Sequence, residues 1–463
     1  MRTRAKDTPP AGSSATAARR AAVRILESCR AGRIFEHALE DATRSLDERD
    51  RRLAHEIAAG VLRRQSALDA MLSPLVTRDW SVVPEPLRQI LRAGAYQLTA
   101  LERVPVHAAV DTSVSLARES SGARAAGFVN AVLRKLSAQM SRSDATDTDA
   151  SGVGSSDIAE RPEGGEFREV VSRLAAQFSH PEWLVERWIQ RFGAEETTSL
   201  LRWNDTRPRL AVQAARVPLD QLLEQWRHQG HEVEAAPFGQ GVYVDARRPD
   251  QLAGFETGDF LVQDPAQALV ARFASAPGVL MYDACAAPGG KSLAMAHRGA
   301  RVVAADISRL RIQRVRENTA RAGSGRELVM VADALHPPLR PVDAVLLDAP
   351  CLGTGTFARH PDARWRVTPG ALEGLAIQQR NMMDALALQV RPGGMLVYAT
   401  CSLEPEENEC QVDAFLTRHP SFRREPNPDI PPELATPGGD LVILPQRHRM
   451  DGAYAARLRR NAH

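Results

Sequence analysis

Between residues 279 and 400 the chain repeats one device: a short, continuous apolar run, a turn, then usually a helical stretch. The runs are VLMYDA at 279–284, RVVAAD at 301–306, LVMVAD at 328–333, AVLLDA at 344–349 and MLVYAT at 395–400. A strand with one face in water alternates apolar and polar residues. A continuous run needs cover on both faces, which a parallel sheet flanked by helices supplies. The alternation predicts a doubly wound, Rossmann-like α/β domain over residues 257–463. Two later runs, LVILPQ and YAARLRR, are expected to add antiparallel strands at an edge.

The N-terminal part reads differently. Residues 1–16 are small, polar and Pro-containing, as in a flexible tail. From Ala17 to Met140 apolar residues recur at helical spacing, as in Ala22, Val23, Ile25 and Leu26 and again in Leu53, Ile57, Val61 and Leu62. Residues 17–140 are therefore expected to form an all-α domain, with Pro84 and Pro86 marking a loop. Residues 141–166 are rich in Ser, Asp and Gly and read as an acidic, disordered linker. Residues 167–256 read as a helical and mixed connecting subdomain.

The 463 residues leave room for two or three domains of about 100–200 residues each. The net charge of +2 is uneven: residues 1–140 carry 22 basic and 15 acidic side chains, whereas 141–170 carry 3 and 8. A basic N-terminal third suggests a polyanionic partner. Apolar runs stay under ten residues, so no membrane-spanning helix is expected, and the charged start of the chain does not read as a secretory signal. Five cysteines in so long a chain do not form a disulfide framework, which points to the cytoplasm. Lysine occurs only at positions 6, 135 and 291, and all other basic residues are arginine.

Lys291 closes the turn after the first run, which reads Ala284, Cys285, Ala286, Ala287, Pro288, Gly289, Gly290, Lys291. Small residues there let backbone N–H groups approach a ligand at a helix N-terminus. The spacing fits neither G-x-G-x-x-G nor a P-loop. Asp306 follows about 20 residues later, where nucleotide-binding α/β folds place a carboxylate on a ribose. Asp333 ends the third run and is placed to meet an adenine edge. A strand-terminal Asp also serves as a plain helix cap.

The fourth and fifth runs lead into Asp348-Ala-Pro-Cys351 and Thr400-Cys401-Ser402. In a parallel sheet both cysteines reach the carboxyl edge. No C-x-x-C or paired His–Cys spacing supports a metal, and none is expected. Either cysteine alone could be structural; as a pair beside Asp348 they point to thiolate chemistry. Cys285 reads as packing, and Cys29 and Cys410 as structural. Methylation at carbon 5 of cytosine needs a thiolate to add at carbon 6, a base to take the carbon 5 proton and an acid near nitrogen 3. Cys401, Cys351 and Asp348 match that list, on a base taken out of its stack.

The motifs DACAAPGGK, VVAADIS, LLDAPCLGTGTFARHPDARW and YATCSLEPEEN resemble those of RNA 5-methylcytosine methyltransferases that use S-adenosylmethionine. The resemblance implies Cys401 as nucleophile, Cys351 in proton removal and enzyme release, and Asp348 in base contact. It implies cofactor contacts from Ala284 through Gly290, Lys291, Asp306, Asp333 and Asp348, with Lys291 near the methionine moiety or Asp348. The N-terminal segments, among them LDERDRRLAHEIAAGVLRRQ and FVNAVLRKL, resemble the NusB-like RNA-binding domain. Together the parts are similar to the RsmB/Sun family, which implies a cytosine of 16S rRNA as substrate. The chain departs from that family's pattern at Ala211, Gln213 and Ala453.

The same chemistry on tRNA or another RNA, or an assembly factor with vestigial catalysis, are the competing readings. Arg24, Arg63, Arg64, Arg134 and Lys135 are candidate phosphate contacts, with Arg364 and Trp365 as candidate lining of an RNA pocket. A core role for Trp365 fits the sequence equally. A monomer is expected.

Overall fold

The computed structural model describes residues 12–143, 165–246 and 248–462, and divides into two compact units. The first comprises the chain up to Asp205 together with the segment His360–Arg366; the second comprises Thr206–Arg359 and Val367–His463.

The first unit is helical: α1 (Gly12–Arg30), α2 (Phe35–Thr43), α3 (Glu48–Arg63), α4 (Gln65–Leu72), α5 (Glu85–Ala100), α6 (Val106–Ser143), α7 (Gly165–Phe178), α8 (Glu182–Phe192) and α9 (Ala194–Asn204). Of the expected tail, residues 12–16 already belong to α1. Of the expected linker, residues 141–143 close α6 and 165–166 open α7, while 1–11 and 144–164 lie outside the described residues. The Asp47 carboxylate accepts from Asp50 N and caps α3. The apolar residues at helical spacing form one core, with Ile25, Leu26, Ile57, Val61, Leu91 and Leu133 buried in it.

The second unit holds two sheets. The smaller is antiparallel, built from β1 (Leu210–Ala214), β2 (Val233–Ala235), β3 (Val242–Val244) and β4 (Phe260–Val262) in the order β2-β3-β1-β4. Trp226 of α10 (Leu219–His228) is buried against it with Leu222, Val212, Val244 and Phe260. A helix α11 (Pro265–Ala274) then leads into the larger sheet.

That sheet contains β5 (Leu280–Asp283), β6 (Arg301–Asp306), β7 (Glu327–Val331), β8 (Val342–Asp348), β9 (Val390–Thr400), β10 (Phe422–Arg424), β11 (Leu441–Ile443) and β12 (Ala453–Arg460). Its path runs β10-β12-β9-β8-β5-β6-β7, with β11 also on β12. Strands β7, β6, β5, β8 and β9 are parallel, as the continuous apolar runs require. The C-terminal strand is antiparallel to β9, but it lies between β9 and β10 rather than at the rim. Helices α12 (Gly290–His297), α13 (Arg309–Ala322), α14 (Pro369–Ala387), α15 (Glu409–Arg418) and the single turn α16 (Pro445–His448) complete the unit. Apolar clusters lie on both faces of the sheet, with Met281, Leu346 and Val397 on one and Tyr282, Leu347 and Tyr398 on the other. Among the described residues no helix is long and apolar enough to cross a membrane.

Candidate active site

Sheet register decides what meets at the carboxyl edge. Asp283 pairs with Leu346 across β5 and β8, and Asp348 pairs with Ala399 across β8 and β9. The chain leaves β8 at Asp348 and reaches Cys351 three residues on; it leaves β9 and reaches Cys401 directly after Thr400. The two sulfurs therefore emerge from neighbouring strands, and they lie 3.4 Å apart. Lys291 Nζ donates to Asp348 Oδ2 at 2.7 Å, which joins the turn after β5 to the end of β8.

The charges around these groups are set by burial. Burial pushes the Asp283 carboxyl up to about 7; Asp348 adds to this, while a bond from Ser292 Oγ and the Lys291 charge work against it. Burial alone would lower Lys291, but the Asp348 carboxylate outweighs it, helped by Cys401 and Asp283, and the ammonium is held charged. The Cys351 thiol is pushed well up, first by its bond with Cys401, then by burial, then by the negative charges of Cys401 and Glu407. Burial likewise raises Cys285, which is half-buried in the turn.

The turn after β5 is pinned from outside. Ala286 N donates to Ala305 O, Arg311 Nη2 to Ala287 O, and Asn318 Nδ2 to Pro288 O. The Ala287–Pro288 peptide is cis, and Gly289 has φ 106°, a region that favours glycine. No side chain caps the start of α12 at Gly290, and its first turn holds no acid. Asp306 is buried at the end of β6; its Oδ1 accepts from Ser308 N and its Oδ2 pairs with Arg311. Asp333 lies two residues past β7, its carboxyl lowered mainly by the Leu335 N–H. Next to these acids stand two exposed apolar side chains, Ile307 and Leu335, which the sequence reading did not single out. Their signal was an apolar residue one or two places after a strand-end Asp. An open helix N-terminus, carboxylates for hydroxyl groups and apolar surface for a ring together suit a nucleoside-bearing ligand.

The Cys351 loop is held at many points. Gly355 N donates to Cys401 O at 3.0 Å, and Gly452 N donates to Gly355 O at 2.8 Å. Leu403 N donates to Thr354 Oγ1 at 2.8 Å. Arg359 reaches Asp264 and Asp451, each at 2.6 Å; burial alone would lower its guanidinium, but the two carboxylates outweigh it and hold the group charged. Asp264 also caps α11 through Ala266 N. None of Arg311, Asn318, Arg359 or Asp264 was singled out from sequence, because each also bonds a residue at least 24 positions away in the chain. Ala453, where the chain departs from the family pattern, is buried at the start of β12, as is Tyr454 after it. Ala211 and Gln213 lie on β1, where Gln213 Nε2 donates to Gln240 O.

The candidate RNA contacts separate into two groups. Arg24, Arg64, Arg134 and Lys135 are exposed on the helical unit, and Arg63 is half-buried. Arg364 is fully buried there and needs correcting as an RNA-facing residue. Its guanidinium donates to Asn204 O, Phe178 O and Arg63 O and pairs with Asp205, and burial pulls it down to about 10. Trp365 packs on the helical core and donates from Nε1 to Leu62 O at 2.8 Å, so its place is the core alternative. Cys29 is buried in the helical core, whereas Cys410 is exposed on α15.

Family models match in three successive stretches. Residues 16–138 match the NusB family, 180–249 the ferredoxin-like domain of RsmF/B-like methyltransferases, and 272–459 the 16S rRNA methyltransferase RsmB/F model. The ribosomal RNA small subunit methyltransferase B of Vibrio cholerae is 32% identical over 441 residues, covering 92% of this chain and 93% of its own. That of Pseudomonas syringae pv. tomato is 32% identical over 428 residues, covering 89% of each chain. Among solved structures, PH0851 superposes with a TM-score of 0.75 at 22% identity, covering 98% of this chain and 100% of that one. NSun6 from Pyrococcus horikoshii superposes with a TM-score of 0.54 at 20% identity, covering 60% and 98%. With a helical NusB-like part, a ferredoxin-like middle and an α/β methyltransferase sheet joined in one chain, this protein belongs to the RsmB/F family of RNA methyltransferases.

Proposed function

We propose that the chain methylates carbon 5 of a cytosine in 16S rRNA, through a covalent bond between Cys401 Sγ and carbon 6 of the ring. The observation that carries this is the pair of sulfurs 3.4 Å apart at the carboxyl edge, next to the Lys291–Asp348 ion pair. The family supplies the RNA; two cysteines at one edge supply the chemistry.

S-adenosylmethionine is the methyl donor in this reading, and it brings an electrophilic methyl carbon. The residues present fit it: the open start of α12, the turn from Ala284 to Gly290, Asp306 and Asp333 with Ile307 and Leu335 beside them. The NSun6 structure was solved with SFG, an analogue of that donor, which supports the assignment.

The chain's own residues do the following. Cys401 Sγ adds to carbon 6, which moves an electron pair to carbon 5 and lets a proton enter at nitrogen 3. Asp348, oriented by Lys291, meets that edge of the base. Carbon 5 takes the methyl group with this electron pair, and the bond from that methyl to the donor's sulfur breaks with its electrons staying on the sulfur. The carbon 5 proton then passes to Cys351 Sγ, once that thiol has lost its own proton to water; the double bond re-forms, the carbon 6–sulfur bond breaks with its electrons returning to Cys401, and nitrogen 3 gives its proton back. At 3.4 Å from Cys401 Sγ, Cys351 Sγ is close enough to the carbon next to the adduct to take its proton, which supports the division of roles. The substrate places the reaction in the cytoplasm. The exposed Arg24, Arg64, Arg134 and Lys135 of the helical unit would supply phosphate contacts.

The test is incubation with S-adenosylmethionine and unmodified 16S rRNA, followed by bisulfite sequencing. One new 5-methylcytosine is expected. A mark on tRNA alone would discard the 16S address, and no mark on any RNA would discard the activity.

A further inference from the structure

The covalent reading gives Cys351 a task in release, and the residues on either side of it show how the loop is held for that task. On one side, Gln379 Nε2 of α14 donates to Pro350 O at 2.9 Å. On the other, Leu352 N donates to both oxygens of the Glu407 carboxylate, at 3.0 and 3.2 Å. Gln379 Nε2 also donates to Glu407 Oε1 at 2.9 Å, so the two supports are tied to each other. Tyr398 OH of β9 donates to Glu407 O at 2.6 Å and fixes the backbone of the second support.

Glu407 and Gln379 are both fully buried. A main-chain N–H needs only a neutral acceptor, and burying a carboxylate is costly unless its charge is used. Burial raises the Glu407 carboxyl, while Ser402, Gln379 and the Leu352 N–H offset part of that rise. Its negative charge is also among the causes that push the Cys351 thiol up.

We propose that Gln379 and Glu407 are positioning residues for Cys351: they brace the peptide groups before and after it and so govern adduct release, not adduct formation. Cys401 has a support that neither residue makes, Gly355 N on its carbonyl oxygen. This rests on the covalent reading above.

The experiment compares wild type, Cys351→Ala, Gln379→Ala and Glu407→Gln under single-turnover conditions with S-adenosylmethionine and unmodified 16S rRNA. Denaturing gels follow the protein–RNA adduct, and methyl incorporation is followed in parallel. Cys351→Ala is the reference for blocked release. Gln379→Ala and Glu407→Gln should form adduct at the wild-type rate and release it on the order of tenfold to a hundredfold more slowly. In Glu407→Gln the pH midpoint of release should also move down, because removing a negative charge lowers the pKa of Cys351. A role in folding alone would not move that midpoint. If Glu407→Gln does not unfold cooperatively, Gln379→Ala carries the comparison. Wild-type release in Gln379→Ala, or formation and release falling together, would overturn the proposal while Cys351→Ala still accumulates adduct. No adduct even in Cys351→Ala would overturn the covalent reading itself.

Discussion

Burial holds the Asp283 carboxyl at about 7, against 3.8 for a free aspartate. The folded state therefore keeps a proton that the unfolded chain loses between those values. The unfolded state binds fewer protons there, so this group's contribution to stability falls as pH rises from about 4 to 7. Asp283→Asn should flatten that fall; parallel melting-temperature curves for the two proteins between pH 4.5 and 8 would contradict it. At the reacting groups, Cys401→Ala should abolish methyl transfer, measured by methyl incorporation into RNA. Cys351, Cys401 and Asp348 could be picked out because each lies within an apolar run or no more than two residues past its end. Gln379 and Glu407 were not, since their partners at Pro350 and Leu352 lie 29 and 55 residues away in the chain.

At the scale of elements, the site depends on three loops meeting without room to spare. A Cβ on Gly355 would stand 2.7 Å from Gly452 Cα and 2.8 Å from Cys401 O, all of it backbone that cannot rotate away. Gly355→Ala should cost about 1–3 kcal/mol of stability. It should also slow methylation on the order of a hundredfold, since it displaces the chain at Cys401. Denaturant unfolding and single-turnover rates check the two effects; a wild-type rate in the variant would contradict this account of the loop. The five parallel strands could be read from sequence because burial on both faces leaves a continuous apolar signature. The inner place of β12 could not, because strand order is a tertiary choice that periodicity does not encode. In the small sheet, β2, β3 and β4 have three residues each, too few to show alternation.

Across the whole molecule, the helical unit is built in part from a segment far along the chain. His360–Arg366 packs with it, and Arg364 is anchored there by Asp205 and three carbonyl oxygens. The sequence suggested an RNA contact because arginine is nearly always exposed; burial with satisfied donors is the rarer outcome. Arg364→Ala should destabilise the protein by about 3–5 kcal/mol, since it leaves buried acceptors without their donor. It should leave the salt dependence of RNA binding unchanged. Arg64→Ala or Lys135→Ala should do the reverse, lowering the slope of log affinity against log salt by about 1 at little cost in stability. An Arg364→Ala variant with wild-type stability and a reduced slope would return that residue to the RNA-facing group.

The division of labour between the two sulfurs is tested most directly by trapping. Cys351→Ala is incubated with S-adenosylmethionine and unmodified 16S rRNA, denatured, digested and mapped by mass spectrometry. A stable adduct is expected with the nucleotide attached at Cys401, and none when Cys401→Ala is combined with it. An adduct that survives in the double variant, attached elsewhere, would contradict it.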